Sequence, residues 1–179
     1  AISHWSAMHH HGLTEQAPRK VFVLTTTDSS VPGTRARDSY RIGDTAYQFI
    51  QIKPERFFGT EKVWVGDTRV TITDLERTLI DGLTMPQHCG DFAEVLHAFE
   101  VSRERLNLER IMDYALKMDA ATVKRLGWVL ESLGLGRDRL EHLAQFPIKG
   151  YRRLDSSGPL KGPRNRYWMI QENLPGKVN

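Results

Sequence analysis

The sequence predicts an α+β fold, with a mixed or antiparallel sheet in the N-terminal half, a cluster of four to five helices packed beside it, and a short C-terminal strand pair. Three observations carry that expectation. Short β-branched and aromatic blocks dominate up to Thr73, the apolar period lengthens to 3.6 after it, and the strands precede a run of helices instead of alternating with them. The 179 residues read as one domain, sheet-rich over 1–73, helical over 74–146 and basic over 147–179.

Ile2, Trp5, Met8 and Gly12 are spaced by three and four, so residues 3–11 read as a short helix opened by Ser3 and ended at Gly12. The blocks K-V-F-V-L-T-T (20–26), A-Y-Q-F-I-Q-I (46–52), K-V-W-V (62–65) and R-V-T-I-T (69–73) read as strands, and Gly66-Asp67 as the turn of a hairpin between the last two. The stretch D-S-S-V-P-G (28–33) reads as a loop. Thr73 with Glu76 three residues later has the spacing of a capping box, ahead of an apolar face of Leu75, Leu79, Ile80 and Leu83. Asp91 precedes a second helix on Phe92, Val95, Leu96 and Phe99, and Asn107 a third on Leu108, Ile111, Met112, Ala115 and Leu116. A fourth runs from Ala120 to Leu133 with Gly134 placed to close it, and a shorter one spans 139–145 ahead of Pro147. Y-R-R-L and R-Y-W-M-I flank a Ser-Ser-Gly-Pro turn and supply the terminal strand pair.

Composition excludes several classes. With 40% hydrophobic and 26% charged residues the chain is neither disordered nor of low complexity. It has no apolar run of membrane-spanning length and no signal-peptide pattern, so no membrane partner and a cytoplasmic location are expected. Cys89 is the single cysteine, which rules out an intramolecular disulfide and a multi-thiolate metal site. Walker, dinucleotide-binding, nucleophile-elbow and zincin motifs are absent.

Neighbouring helix positions point about 100° apart, so His9, His10 and His11 cannot converge on one ion, and His4 stands at no i, i+4 spacing to them. No metal and no cofactor are expected. Asp74, Glu76 and Asp81 stand where a strand meets a helix, a place from which carboxylates can hold Mg²⁺ for phosphoryl transfer or nuclease chemistry. The structural reading of the same residues is a capping box, a favourable charge at the helix start and an Arg77–Asp81 ion pair, and it is preferred. Residues 107–133 have the outline of a helix-turn-helix with Lys124 and Arg125 in its second helix, but A-T-V-K-R-L-G-W-V-L-E is apolar on most faces and reads as buried.

Twenty-five basic and 22 acidic residues give a net charge of only +3, but the distribution is uneven. Residues 147–179 hold seven basic and two acidic side chains, net +5, which leaves 18 against 20, or −2, in residues 1–146. Lys149, Arg152, Arg153, Lys161, Arg164 and Arg166 are therefore the candidate nucleic-acid contacts, with Tyr151, Tyr167 and Trp168 among them as stacking surfaces. The alternative for this segment is a solvated surface.

The blocks I-S-H-W-S-A-M-H-H-H-G-L-T (2–14), P-R-K-V-F-V-L-T-T (18–26), F-F-G (57–59), V-T-I-T-D-L-E-R-T-L-I-D-G-L (70–83) and K-R-L-G-W-V-L-E (124–131), in this order, resemble the C-terminal domain of AbiEi-type antitoxins of type IV toxin-antitoxin, or abortive-infection, systems. Leu75 departs from the family pattern, which usually has Pro there. The resemblance implies a bacterial transcriptional regulator and antitoxin without enzymatic activity. Such a protein opposes a nucleotidyltransferase-like toxin without forming a stable complex with it. It also implies DNA as a partner, through the basic C-terminal segment or an N-terminal winged-helix domain. That winged domain is expected to be absent from this chain, which starts at the I-S-H-W-S-A helix. A metal-dependent phosphoryl-transfer enzyme or nuclease built on Asp74, Glu76 and Asp81 is the alternative expectation.

Overall fold

The computed structural model describes residues 1–26 and 40–174, so the loop expected over residues 28–33 lies outside the described residues. The fold is α+β, with strands in the N-terminal half, helices after them and short strands at the C-terminal end. After a first helix, α1 (His4–His10), come β1 (Val21–Thr25), β2 (Tyr40–Ile42) and β3 (Thr45–Gln51). They form a mixed sheet in the order β1-β3-β2, in which β1 and β3 are parallel and β2 is antiparallel to β3. β2 is not among the expected strands, because its three residues, Tyr40, Arg41 and Ile42, are too few for an alternating pattern to register, and all three are exposed.

β4 (Thr60–Val65) and β5 (Thr68–Thr73) form the expected hairpin, closed by the pair Val65 and Thr68 with Gly66 at φ 57°. A positive φ is easy for glycine and strained for other residues, which is why Gly66 suits this two-residue turn. The first three residues sew the hairpin to the mixed sheet. Ile2 donates to the Thr71 carbonyl and accepts from Thr73, both at 2.8 Å, while Ala1 accepts from Leu24 and Ser3 donates to Phe22 on the other side. An N-terminal segment thus acts as an added strand between β1 and β5.

The helices after Thr73 are α2 (Leu75–Thr84), α3 (Phe92–Ser102), α4 (Leu108–Leu116), α5 (Ala120–Ser132) and α6 (Arg137–Ala144). Asp91, Asn107 and Asp119 each accept a hydrogen bond from the backbone three residues on, satisfying one of the donors a helix start leaves unpaired. The capping box expected of Thr73 and Glu76 is not formed. Thr73 is the last residue of β5, and its N–H is already bonded to Ile2. The helix starts one residue later, on Asp74, whose Oδ1 accepts from the Arg77 N–H at 2.8 Å.

One apolar cluster joins Leu79, Ile80 and Leu83 of α2 to Val95 and Phe99 of α3, Ile111 of α4, Leu126 and Leu130 of α5, and Leu140 of α6. Met8 and Leu13 enter it from the N-terminal end, and Leu154, Trp168 and Ile170 from the C-terminal end. A smaller cluster of Phe22, Leu24 and Ile50 lies under the mixed sheet. The C-terminal strands are β6 (Arg152–Arg153), β7 (Arg164–Asn165) and β8 (Ile170–Gln171), ordered β6-β8-β7. The two that were expected, β6 and β8, are parallel, and β7 lies antiparallel on the other side of β8. Among the described residues no helix is long and apolar enough to cross a membrane.

Candidate nucleic-acid interface

The basic C-terminal segment is held to the helical core by its own aromatic and amide side chains. Gly127 on α5 provides the seat: a Cβ there would come within 2.0 Å of Trp168 Cζ3, so only glycine admits the indole. Trp168 is fully buried, and its Nε1 donates to Glu131 of the same helix. The expectation that Trp168 stacks on bases is therefore wrong, because its ring faces are used inside the protein. Trp128 Nε1 donates to Glu172 at 2.7 Å, and Asn165 Nδ2 donates to the same oxygen at 3.0 Å. Asn173 clamps the loop before β7, donating to the Asp155 and Pro159 carbonyls and accepting from the Asp155 N–H.

On this base the cations spread outward. The register sets Arg153, Gln171 and Arg164 abreast across the three strands. Lys149, Arg152, Lys161, Arg164 and Arg166 are exposed, whereas Arg153 is half-buried and donates to the Gly158 carbonyl at 2.8 Å. Arg152 donates to the Lys149 and Tyr151 carbonyls. Arg164 lies over the Tyr151 ring at 5.0 Å, and Arg137 of α6 over the Tyr167 ring at 4.2 Å. Charge counting along the chain missed Arg137, which reaches this surface from α6. No ion pair among the described residues involves Lys149, Arg152, Lys161, Arg164 or Arg166.

The three carboxylates at the start of α2 have separate partners. Asp74 accepts from Arg77 N–H through one oxygen and from the Tyr114 hydroxyl, at 2.8 Å, through the other. Burial, with Asp74 beside it, pushes the Tyr114 hydroxyl up to about 12. Glu76 points to α4, accepting from the Asn107 N–H at 2.9 Å and meeting Arg110 at 3.5 Å. Asp81 forms the expected i, i+4 pair with Arg77 at 2.8 Å, but inside the protein. Its second oxygen has no hydrogen-bond partner among the described residues, and burial, outweighing the neighbouring guanidinium, raises its carboxyl to about 6. Arg77 Nη1 also donates to the Arg56 and Phe58 carbonyls, and the guanidinium lies 4.5 Å from the Phe58 ring centroid. Among the described residues no group of three His, Cys, Asp or Glu side chains is placed to hold a metal ion.

Lys124 and Arg125 are buried, as the apolar surroundings in the sequence imply. Lys124 Nζ donates to the Leu143 and Ala144 carbonyls at the end of α6, and Arg125 to the Leu83 carbonyl of α2 and the Arg153 carbonyl of β6. Desolvation lowers both side chains from their usual values. Of the histidines, His4 is fully buried against Phe22 and His88, a position not anticipated, and desolvation lowers it to about 3. His11 Nε2 contacts the Thr73 carbonyl at 2.7 Å, and His9 and His10 are exposed.

No protein-family model matches the chain, and no curated protein matches it. It is similar in structure to the RV2827C protein from Mycobacterium tuberculosis, with a TM-score of 0.64 at 13% sequence identity over 94% of this chain. The chain spans 60% of that neighbour's length. At this identity the likeness shows the shared fold and nothing about activity.

Proposed function

We propose that the chain is the non-enzymatic antitoxin and regulatory domain of a bacterial type IV toxin-antitoxin system, acting in the cytoplasm against a nucleotidyltransferase-like toxin without binding it stably. The observation that carries this reading is the T-D-L-E-R-T-L-I-D-G-L block, residues 73–83, in which the resemblance to AbiEi-type antitoxins is most specific. This block runs from the last residue of β5 through most of α2, the helix that packs against α1, α3, α4 and α5. The separate partners of Asp74, Glu76 and Asp81 favour a structural role for those carboxylates over Mg²⁺ chemistry. The array of Arg152, Lys161, Arg164 and Arg166 supports a weak, sequence-independent contact with DNA, since phosphate contacts position a protein without reading bases.

Co-expression with a nucleotidyltransferase-like toxin tests the antitoxin reading: growth is restored, and toxin and chain elute separately on a sizing column. A chain that fails to restore growth, or a stable complex, refutes it. So does Mg²⁺-dependent hydrolysis or nucleotide transfer that disappears in Asp74→Asn at unchanged Tm. For the DNA contact, log K on duplex DNA falls against log salt with a slope of about −4, and Arg152→Ala, Lys161→Ala, Arg164→Ala and Arg166→Ala together flatten it.

A further inference from the structure

The β4–β5 hairpin carries a second group of cations around an aromatic ring, separate from the C-terminal segment. Trp64 is 68% exposed, against 7% for Trp128 and none for Trp168, so this indole has not been used to build the core. Residues directly opposite in an antiparallel pair share a face, and alternate residues along one strand do too. The register pairs Trp64 with Arg69 and Lys62 with Thr71, which puts Lys62, Trp64 and Arg69 together on one side of the ribbon. All three are exposed, and neither cation has a hydrogen bond or ion pair among the described residues. Glu61 belongs to the opposite face through its pairing with Ile72, and Asp67 sits in the turn. Among the described residues β4 pairs with β5 alone, and no other described strand covers its outer edge.

The geometry points to this ribbon face as a binding surface for a short single-stranded DNA segment, with Trp64 stacking on an unpaired base and Lys62 and Arg69 neutralising the flanking phosphates. An exposed indole between two unpaired cations matches the two needs of a single strand, a flat apolar surface for a base and positive charge for its backbone. A second copy of the chain suits the face less well, since a two-fold contact would bring Lys62 and Arg69 against cations of the same sign. Apart from the hydroxyls of the exposed Thr60 and the half-buried Thr71, the face offers no neutral polar side chain to single out a ribose 2′-hydroxyl. The inference does not depend on the antitoxin reading, because it predicts binding whether or not the chain restores growth.

The test is fluorescence anisotropy of labelled oligo(dT) of twelve nucleotides with the whole chain at low salt, with tryptophan emission followed in parallel. Saturable binding that quenches emission is expected. Trp64→Ala then weakens affinity about tenfold at unchanged Tm, while Trp64→Phe retains most of it. Lys62→Ala with Arg69→Ala reduces the salt slope by about 1.4, two phosphates' share on a single strand, and Glu61→Gln on the other face leaves affinity unchanged. The inference is overturned by any of four results: no saturable binding, unchanged affinity in Trp64→Ala, clear preference for oligo(U), or binding lost only in the C-terminal variant. A concentration-dependent dimer in sedimentation that Trp64→Ala dissolves would assign the face to a second copy instead.

Discussion

Basic side chains occupy two kinds of place in this protein. Within the helical region Arg77, Lys124 and Arg125 are buried, and each ends on backbone carbonyls: Arg77 on residues 56 and 58, Lys124 at the end of α6, Arg125 at the end of α2. At the C-terminal sheet and on the β4–β5 hairpin, Lys62, Arg69, Lys161, Arg164 and Arg166 are exposed and have no acidic partner among the described residues. The two sets are identical in charge and opposite in use. A helix end leaves carbonyls unpaired, and a buried cation that reaches them is stabilised by partners it cannot leave. A cation on a strand face keeps its hydration and remains available to a phosphate. Net charge therefore says little about ligands until the buried, committed cations are removed from the count.

The sharpest break of this contrast is Arg77→Met. It strips Asp81 of its cation and frees two carbonyls, and the cost expected from urea denaturation is about 3–5 kcal/mol. Arg77→Met with Asp81→Leu recovers part of that loss, since no lone carboxyl is then left buried. A loss below about 1 kcal/mol for the single variant would show that Arg77 is not committed in this sense.

A slightly smaller effect concerns pH, where His4 and Asp81 oppose each other. His4 takes up a proton near 6.5 when unfolded but only near 3 when folded, so it removes stability as pH falls through that interval. Asp81 keeps its proton up to about 6 in the fold, against 3.8 outside it, so the stability it adds below 3.8 is lost as pH rises to 6. Stability between about pH 4 and 6 is thus flatter than either group alone would make it. His4→Gln is expected to make stability fall as pH rises there, and Asp81→Asn to make it rise. The limiting slope is about 1.4 kcal/mol per pH unit for either, read from denaturation midpoints across the range.

Gly127→Ala comes next. The added methyl meets the Trp168 ring, and overpacking of this kind costs about 1–3 kcal/mol. The C-terminal sheet should loosen before the helices do, which hydrogen exchange at residues 152–153 and 170–171 would register. The smallest effect is expected at the outward cations: Arg164→Ala or Arg166→Ala should change stability by less than about 0.5 kcal/mol. A larger loss would place them in the committed set.

Five helices after Thr73, the β4–β5 hairpin and the N-terminal helix were legible in the sequence, because apolar period, cap residues and turn residues act within three or four positions. Asp91 and Asn107 cap the helices they precede for that reason, and Arg77 meets Asp81 one helical turn away. The same locality misled at Thr73, whose N–H is taken by Ile2, 71 positions earlier, and at Glu76, whose carboxylate is taken by Asn107, 31 positions later. Of the candidate interface, the cluster of cations was legible as composition. Tertiary packing alone decided that Trp168 is core while Trp64 is surface, and that Arg153 is half-buried beside exposed Arg152. It also decided the parallel pairing of β6 with β8 and the strand-like seam of residues 1–3. Local rules fix which groups a segment must satisfy, but which distant atom satisfies them depends on how the faces meet, and a glycine at 127 or a free carbonyl at 83 has no signature in its own neighbourhood.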